Sequence, residues 1–417
     1  MDPGSGKELP ASTMQARLNR SARPNSRLAI LSLLRQYGPC SRKEIAERTG
    51  LSQPSVSALV KELLREGLVR EVGPGESSGG RRPVLLDLNA AAYYVLGAMV
   101  ESDRIDFAVA DLSGRAVSTH AVAVNLPGGA DAPAGEAALA RLAEAVKEVM
   151  SRSGLEPDRL LGIGVGVPGI VQPETGRVRR APGVGWWQDV AVRAGLEERL
   201  GVPVVVENDV NLMALGEYAR GAGRGARCLV LVYVGTGIGA GIVVEGRLFR
   251  GAASAAGEIG YLPLGPAADA AEGRPGFGVF EQQFSARAVA RFLAEQGWAR
   301  GRRPVAALVE AARHRPELRP YLEQVIRHWA YGVASLVAVL DPDRVLLAGD
   351  AADIGAEGLE QIREVLARLL PEVPAVGFAA LGDQAGLVGA VHRVLSDEAG
   401  LTGALPRSAR ARRWPAS

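Results

Sequence analysis

Asn208 and Asp209 are the pair of residues in this chain best suited to chemistry. They follow Val204-Val205-Val206-Glu207, which reads as a strand, and precede a stretch from Val210 to Tyr218 that reads as a helix. The end of a strand is where α/β proteins place ligand residues. A carboxylate beside an amide offers acceptors and donors together, which suits a polyol. Asp209 equally suits the cap of the following helix, and both roles can coexist. A second motif is Gly235-Thr236-Gly237-Ile238-Gly239. Such a turn exposes backbone N–H groups in an anion-binding nest. The same glycines also serve a hairpin that needs unusual backbone angles.

A third set lies near the N-terminus, at the start of a helix. Gln53, Ser55, Ser57 and Ala58 are spaced to face outward there, and Gln pairs bidentately with adenine. Arg42, Lys43 and Lys61 suit phosphate contacts, which position a protein on DNA without specifying sequence. Arg81 and Arg82 follow two glycines, which lets the backbone approach a minor groove closely. Residue by residue, this polar set also fits a plain solvated face.

The elements around these groups decide between such readings. Residues 1–24 read as a flexible arm. From Asn25, Leu28, Ile30, Leu31, Leu33 and Leu34 give a helix one apolar face, and Gly38-Pro39 ends it. Ser41 and Glu44 form a capping box for a second helix. Ser52 caps a third, with Pro54 in its first turn and Val56, Leu59, Val60, Leu63 and Leu64 on its apolar side. Gly67 stops it. Two alternating stretches, Leu68 to Val72 and Pro83 to Leu88, flank the loop GPGESSGGRR. That order is a winged helix-turn-helix over residues 25–88, whose third helix enters the major groove.

The texture then becomes α/β, over residues 89–399. Tyr94–Val100 with Ile105–Ala110 reads as a hairpin, and Leu229–Val234 with Ala240–Val244 as a second like it. The recurrence suggests a duplicated fold, with lobes at roughly 89–208 and 209–399. A basic tail over 400–417 carries Arg407, Arg410, Arg412 and Arg413. The net charge of +2 divides into +5 over residues 1–88 and −3 over the rest, so the basic excess lies where nucleic acid would want it. Two cysteines, Cys40 and Cys228, do not make a disulfide scaffold. The N-terminus shows no apolar signal segment, and the uncharged run Cys228–Val244 contains a glycine turn, so a cytoplasmic protein without a membrane span is expected.

Five motifs in one order resemble the ROK family (repressors, open reading frames and kinases) across about residues 25–395. They are LSQPSVSALVKELLREGLV followed by GGRRP, GIGVGVPGIVQPETG, VENDVNLMALGE, VGTGIGAGI and AAGEIGY. The resemblance implies an N-terminal winged helix-turn-helix plus a two-lobed α/β actin/hexokinase-like domain with a ligand cleft. It implies that Asn208 holds a sugar hydroxyl and that Asp209 sits where the family's kinases accept a proton. Glu258 and Glu281 match two further sugar contacts, and Gly169 leaves room for the ring. Trp186 and Trp187 lie at a segment resembling the cleft-edge loop, and packing is their expected role.

The chain departs from the family's kinases at the phosphate turn. Where these read D-x-G-G-T-K, it has Met99-Val100-Glu101-Ser102-Asp103-Arg104, and Glu101 and Asp103 would repel phosphate. A nucleotide-side Gly-Gly is Gly349-Asp350. A family zinc site is also missing, since Tyr261 replaces its His and the segment from Glu272 to Phe280 has no cysteine. No catalytic residue, no cofactor and no metal are therefore expected. The expected function is a DNA-binding regulator, a repressor by family habit, controlled by a sugar. It would act as a homodimer or homotetramer on a pseudo-palindromic operator. The alternatives are an active ATP-dependent sugar kinase with a DNA-binding appendage, or a DNA-binding protein answering to a protein partner.

Overall fold

The computed structural model describes residues 26–75, 82–124, 134–181, 187–264, 277–298 and 303–397. The arm, the basic tail, Arg81, Trp186 and most of the cysteine-free segment after Glu272 lie outside the described residues.

Helix α1 spans residues 26–37. Strand β1 (Cys40–Ser41) leads into α2 (Arg42–Thr49), and α3 (Gln53–Arg65) follows. The local chemistry explains the boundaries. Ser41 and Glu44 make the reciprocal capping box, and Gly50 ends α2 in a left-handed conformation. Ser52 caps α3 through the Ser55 amide. Arg27 of α1 pairs with Glu62 and Glu66, holding the far end of α3. Strands β2 (Val69–Pro74) and β3 (Val84–Leu88) form the wing, and β1 joins them in the order β1-β3-β2.

Two five-stranded sheets follow, built alike. The first contains β4 (Tyr94–Val100), β5 (Arg104–Asp111), β6 (Ala116–Ala123), β7 (Leu160–Val167) and, after the small sheet β8 (Ile170–Gln172), β9 (Arg177–Arg180) and β10 (Val190–Ala191), strand β11 (Val204–Asn208). Its order is β11-β7-β4-β5-β6. The second contains β12 (Cys228–Val234), β13 (Ile238–Val244), β14 (Arg247–Leu248), β15 (Arg344–Gly349) and β16 (Ala375–Phe378). Its order, β14-β13-β12-β15-β16, is the first one read from the other edge. In both, an antiparallel hairpin is extended by parallel strands, so the weak sequence repeat reflects a real duplication.

Helices α4 (Ala134–Arg152) and α5 (Val192–Leu200) belong to the first half of the chain, and α6 (Asp209–Arg220) leads into the second. The second half adds α7 (Val279–Phe284), α8 (Ala286–Glu295), α9 (Pro304–His314), α10 (Arg319–Leu340), α11 (Gly355–Leu369) and α12 (Ala385–Leu395). A simple cut at residue 208 does not describe the packing. Helix α12, near the end of the described chain, returns to lie on β4 and β7 of the first sheet and along α6. The reason is steric. A methyl group at Gly216 would lie 2.0 Å from the Ala385 carbonyl oxygen, and one at Gly389 would lie 1.8 Å from that of Leu212. Glycine at these positions lets two helix backbones touch. No helix among the described residues is long and apolar enough to cross a membrane.

Candidate DNA-reading surface and effector cleft

Helix α3 buries Val56, Val60 and Leu63 and leaves Gln53, Ser55, Ser57, Ala58 and Lys61 exposed. The five residues expected to face DNA thus lie on one open surface, starting at the helix N-terminus. Lys43 is exposed and near Glu47, while Arg42 pairs with Glu71 of the wing at 3.4 Å. Arg82 is exposed beside the wing.

The cleft is built at the end of β11. Asn208, not Asp209, is the N-cap of α6: its Oδ1 accepts the Asn211 amide at 3.0 Å, and its Nδ2 donates to the Gly169 carbonyl at 3.1 Å. Asp209 is the first helical residue, and its Oδ1 takes the adjacent Val210 amide at 2.9 Å. Burial pushes the Asp209 carboxyl up to about 6, and nearby Glu101 adds to the rise. Glu258 is also pushed up, first by burial and then by Glu281 and Asp209, while Arg180 opposes. Asp209, Glu258 and Glu281 are therefore electrostatic neighbours.

Two of the expected cleft residues also have structural roles. Gly169 does not simply leave space for a ring. Its φ is +101°, and a methyl group there would lie 2.0 Å from the Arg180 carbonyl oxygen, so the backbone crossing itself demands glycine. Glu281 is buried with both oxygens engaged: Oε1 accepts from Gly278 at 2.9 Å and Oε2 from Ile238 at 3.2 Å. It stitches α7 to the glycine turn. Trp187 is buried, as packing requires.

Three further residues shape the cleft without belonging to a motif. Arg250, partly exposed, pairs with the buried Glu207, donating to Oε2 from Nε at 2.9 Å and from Nη2 at 2.6 Å. Glu207 Oε1 also accepts Asn211 Nδ2 at 3.0 Å, so the pair ties the loop before Glu258 to the strand carrying Asn208. Arg180 lies over the Tyr261 ring at 5.6 Å. Tyr233 covers the glycine turn: a methyl group on Gly235 would meet its hydroxyl at 2.5 Å, and one on Gly349 its ring at 2.6 Å. Its hydroxyl is pushed up by burial and then by Asp209, Asp350, Glu101 and Asp383. The legible signal for Tyr233 is its size, two residues before the glycine turn.

Other side chains crowd the same region. Met99 packs its sulfur against Gly166 and Gly386. Glu101 pairs with Arg104 at 3.2 Å. Burial pushes Asp350 up to about 6, and Asp353 adds to the rise.

Similarities to known proteins agree with this architecture. A winged helix-turn-helix DNA-binding model matches residues 24–70, and the ROK family model matches residues 97–396. A xylose repressor of Caldicellulosiruptor bescii is 32% identical over 82% of this chain and 87% of its own. A crystal structure of a ROK family transcriptional regulator, described as a homologue of the E. coli MLC protein, has a TM-score of 0.76. It is 22% identical and covers 91% of this chain and 98% of its own. A ROK hexokinase from Thermus thermophilus, 32% identical, has a TM-score of 0.59 over 72% of this chain and 96% of its own. With its paired five-stranded sheets, its glycine turn and its winged helix, the chain belongs to the ROK family.

Proposed function

We propose that this protein is a sequence-specific DNA-binding repressor whose operator affinity is set by a sugar held at Asn208, Asp209 and Glu258, and that it does not phosphorylate that sugar. One observation carries the reading: the two sides of the cleft have parted ways. The sugar side keeps an amide and carboxylates at a strand end. The phosphate side has Met99 and Glu101 in the first turn and Tyr233 lying on Gly235 and Gly349. Phosphoryl transfer is catalysed by positioning and charge stabilisation, and carboxylates with a bulky ring supply neither. The xylose repressor relative supports the same reading and makes D-xylose the first sugar to try. Gln53, Ser55, Ser57 and Ala58 would read the operator, with Arg42, Lys43, Lys61, Arg81 and Arg82 on the backbone or minor groove. Two copies would meet a pseudo-palindromic site, and a dimer is the smallest assembly that does so.

The test is calorimetry with pentoses, hexoses and amino sugars, paired with DNA footprinting in the presence of each. Heat with one sugar, and loss of footprint with the same sugar, is expected. No heat with any sugar overturns the effector reading. The hexokinase likeness and the retained Asp209 favour a second reading, an active kinase. ATP-dependent phosphorylation abolished by Asp209→Ala would establish it.

A further inference from the structure

The winged helix does not hang from a loose tether. The connecting residue Asn89 donates through its backbone to the Leu68 carbonyl at 2.9 Å and through Nδ2 to that of Gly67 at 2.8 Å. Its neighbour Ala90 accepts the Leu112 amide at 3.0 Å. Apolar residues of α1, among them Leu28, Leu31 and Leu34, share one buried cluster with Leu112 of the β5–β6 turn and with Val391, Val394 and Leu395 of α12. A cation lies against that cluster. Arg35 of α1 donates from Nε to the Leu112 carbonyl at 2.8 Å and from Nη1 to the Leu395 carbonyl at 3.4 Å. The Leu395 carbonyl is one of the free acceptors at the end of α12, where a cation is favoured. Burial draws the Arg35 guanidinium down to about 10, with Arg220 adding to the effect and Asp111 opposing it.

The other end of the same structure is the cleft. Asn208 caps α6 and Asp209 opens it. Helices α6 and α12 touch backbone to backbone at Gly216 and Gly389, so no layer of side chains can absorb a shift between them. The C-terminal ends of both reach the β5–β6 turn. Arg220, the last residue of α6, donates to the Ser113 carbonyl at 2.6 Å, next to the Leu112 carbonyl held by Arg35. A displacement imposed at the N-terminal end of α6 therefore arrives where Arg35 is anchored.

We propose that Arg35 is the positioning residue through which the α6–α12 pair sets the placement of the DNA-reading domain. The inference rests on the reading of the cleft as the effector site. Helix α1 in turn holds α3 through Arg27, so the chain of contacts ends at the recognition helix.

The test compares full-length wild type with Arg35→Met, which keeps length and apolar packing but removes both hydrogen bonds, and with Arg35→Lys. The DNA is a duplex selected from a random library by the wild-type protein. The sugar is D-xylose, or the panel member that gives heat. Affinity for DNA is measured without and with saturating sugar, and sugar affinity is measured alone. In Arg35→Met the sugar-induced change in DNA affinity is expected to shrink at least fivefold, with each separate affinity within threefold of wild type. Arg35→Lys restores part of it. An unchanged ratio in Arg35→Met overturns the proposal. Hydrogen exchange on wild type gives an arm independent of both the variant's folding and the sugar. Adding the duplex is expected to change amide protection in the last turn of α12 and in α6, and no change there overturns the proposal. A protein that gives no heat with any sugar yet shows this protection change refutes the effector reading and leaves the mechanical path standing.

Discussion

Asp209→Asn separates the cost of the cleft from its use. The Asp209 carboxyl is held at about 6 in the fold, against 3.8 for an ordinary aspartate, chiefly because burial strips water from it. A folded value raised above the unfolded one gives a contribution that is present below pH 3.8 and lost as the pH rises through 6. At neutral pH the ionised group therefore costs up to about 3 kcal/mol, from about 1.36 kcal/mol for each tenfold change in proton affinity. Asparagine keeps the shape and an oxygen for the Val210 amide without carrying charge. The variant is expected to be more stable than wild type by about 2 to 3 kcal/mol at pH 7.5. The gain should be about 1.6 kcal/mol at pH 5 and vanish below pH 4. Urea unfolding followed by circular dichroism at five pH values reads it directly. Calorimetry should show at least a tenfold loss of sugar affinity, since a charged acceptor has been removed. A stability difference that is flat with pH would refute the reasoning. So would a variant less stable than wild type at pH 7.5.

Other perturbations have equally definite signs. Ser52→Ala removes the side-chain cap of α3 and should cost about 1 kcal/mol of stability and weaken DNA binding, measured by thermal melting and gel shift, with sugar binding unchanged. Arg250→Met leaves the buried Glu207 without its cation, and since Arg250 itself is partly exposed a loss of about 1 to 3 kcal/mol is expected in urea unfolding. His392 is drawn down to about 4 from 6.5, first by burial and then by Arg35, Arg220 and Arg393. The unfolded chain takes up that proton first, so His392 stabilises above pH 6.5 and loses roughly 3 kcal/mol as the pH falls to 4. His392→Gln should flatten that acid limb, and melting temperatures from pH 4 to 7 check it.

What could be read from the sequence was local. Ser41 with Glu44, Ser52 with Pro54, and Gly67 fix helix ends by chemistry acting within a few residues, and the structure has those ends. The exposed face of α3 followed from the same periodicity. The two hairpins were visible because alternation and a glycine turn are short-range signals. Asn208 and Asp209 were found as a pair, but their division of labour was not. Which of two adjacent polar residues caps a helix depends on backbone angles that begin a residue earlier, and Asn208, with extended φ and ψ, takes the cap.

The rest was set by contacts that no window of sequence contains. Arg35 and Leu395 are 360 positions apart, and nothing near either announces the other. Glu281 reads as a ligand residue by motif, and its hydrogen bonds to Gly278 and Ile238 could not be read from any motif. Its Oε2 occupies one of the N–H groups of the glycine turn, so this chain supplies the nest with an anion of its own. That gives the glycines of VGTGIGAGI a structural role of their own. The glycines answer to Glu281, Tyr233 and the β12–β13 hairpin, which remain whether or not a nucleotide ever binds. Met99 lies near the end of β4 inside the core, and Glu101, at the turn that follows, pairs with Arg104 at the surface. Under the proposed function, the glycine turn is held by its structural partners and the segment after Met99 has only the Arg104 pair to satisfy.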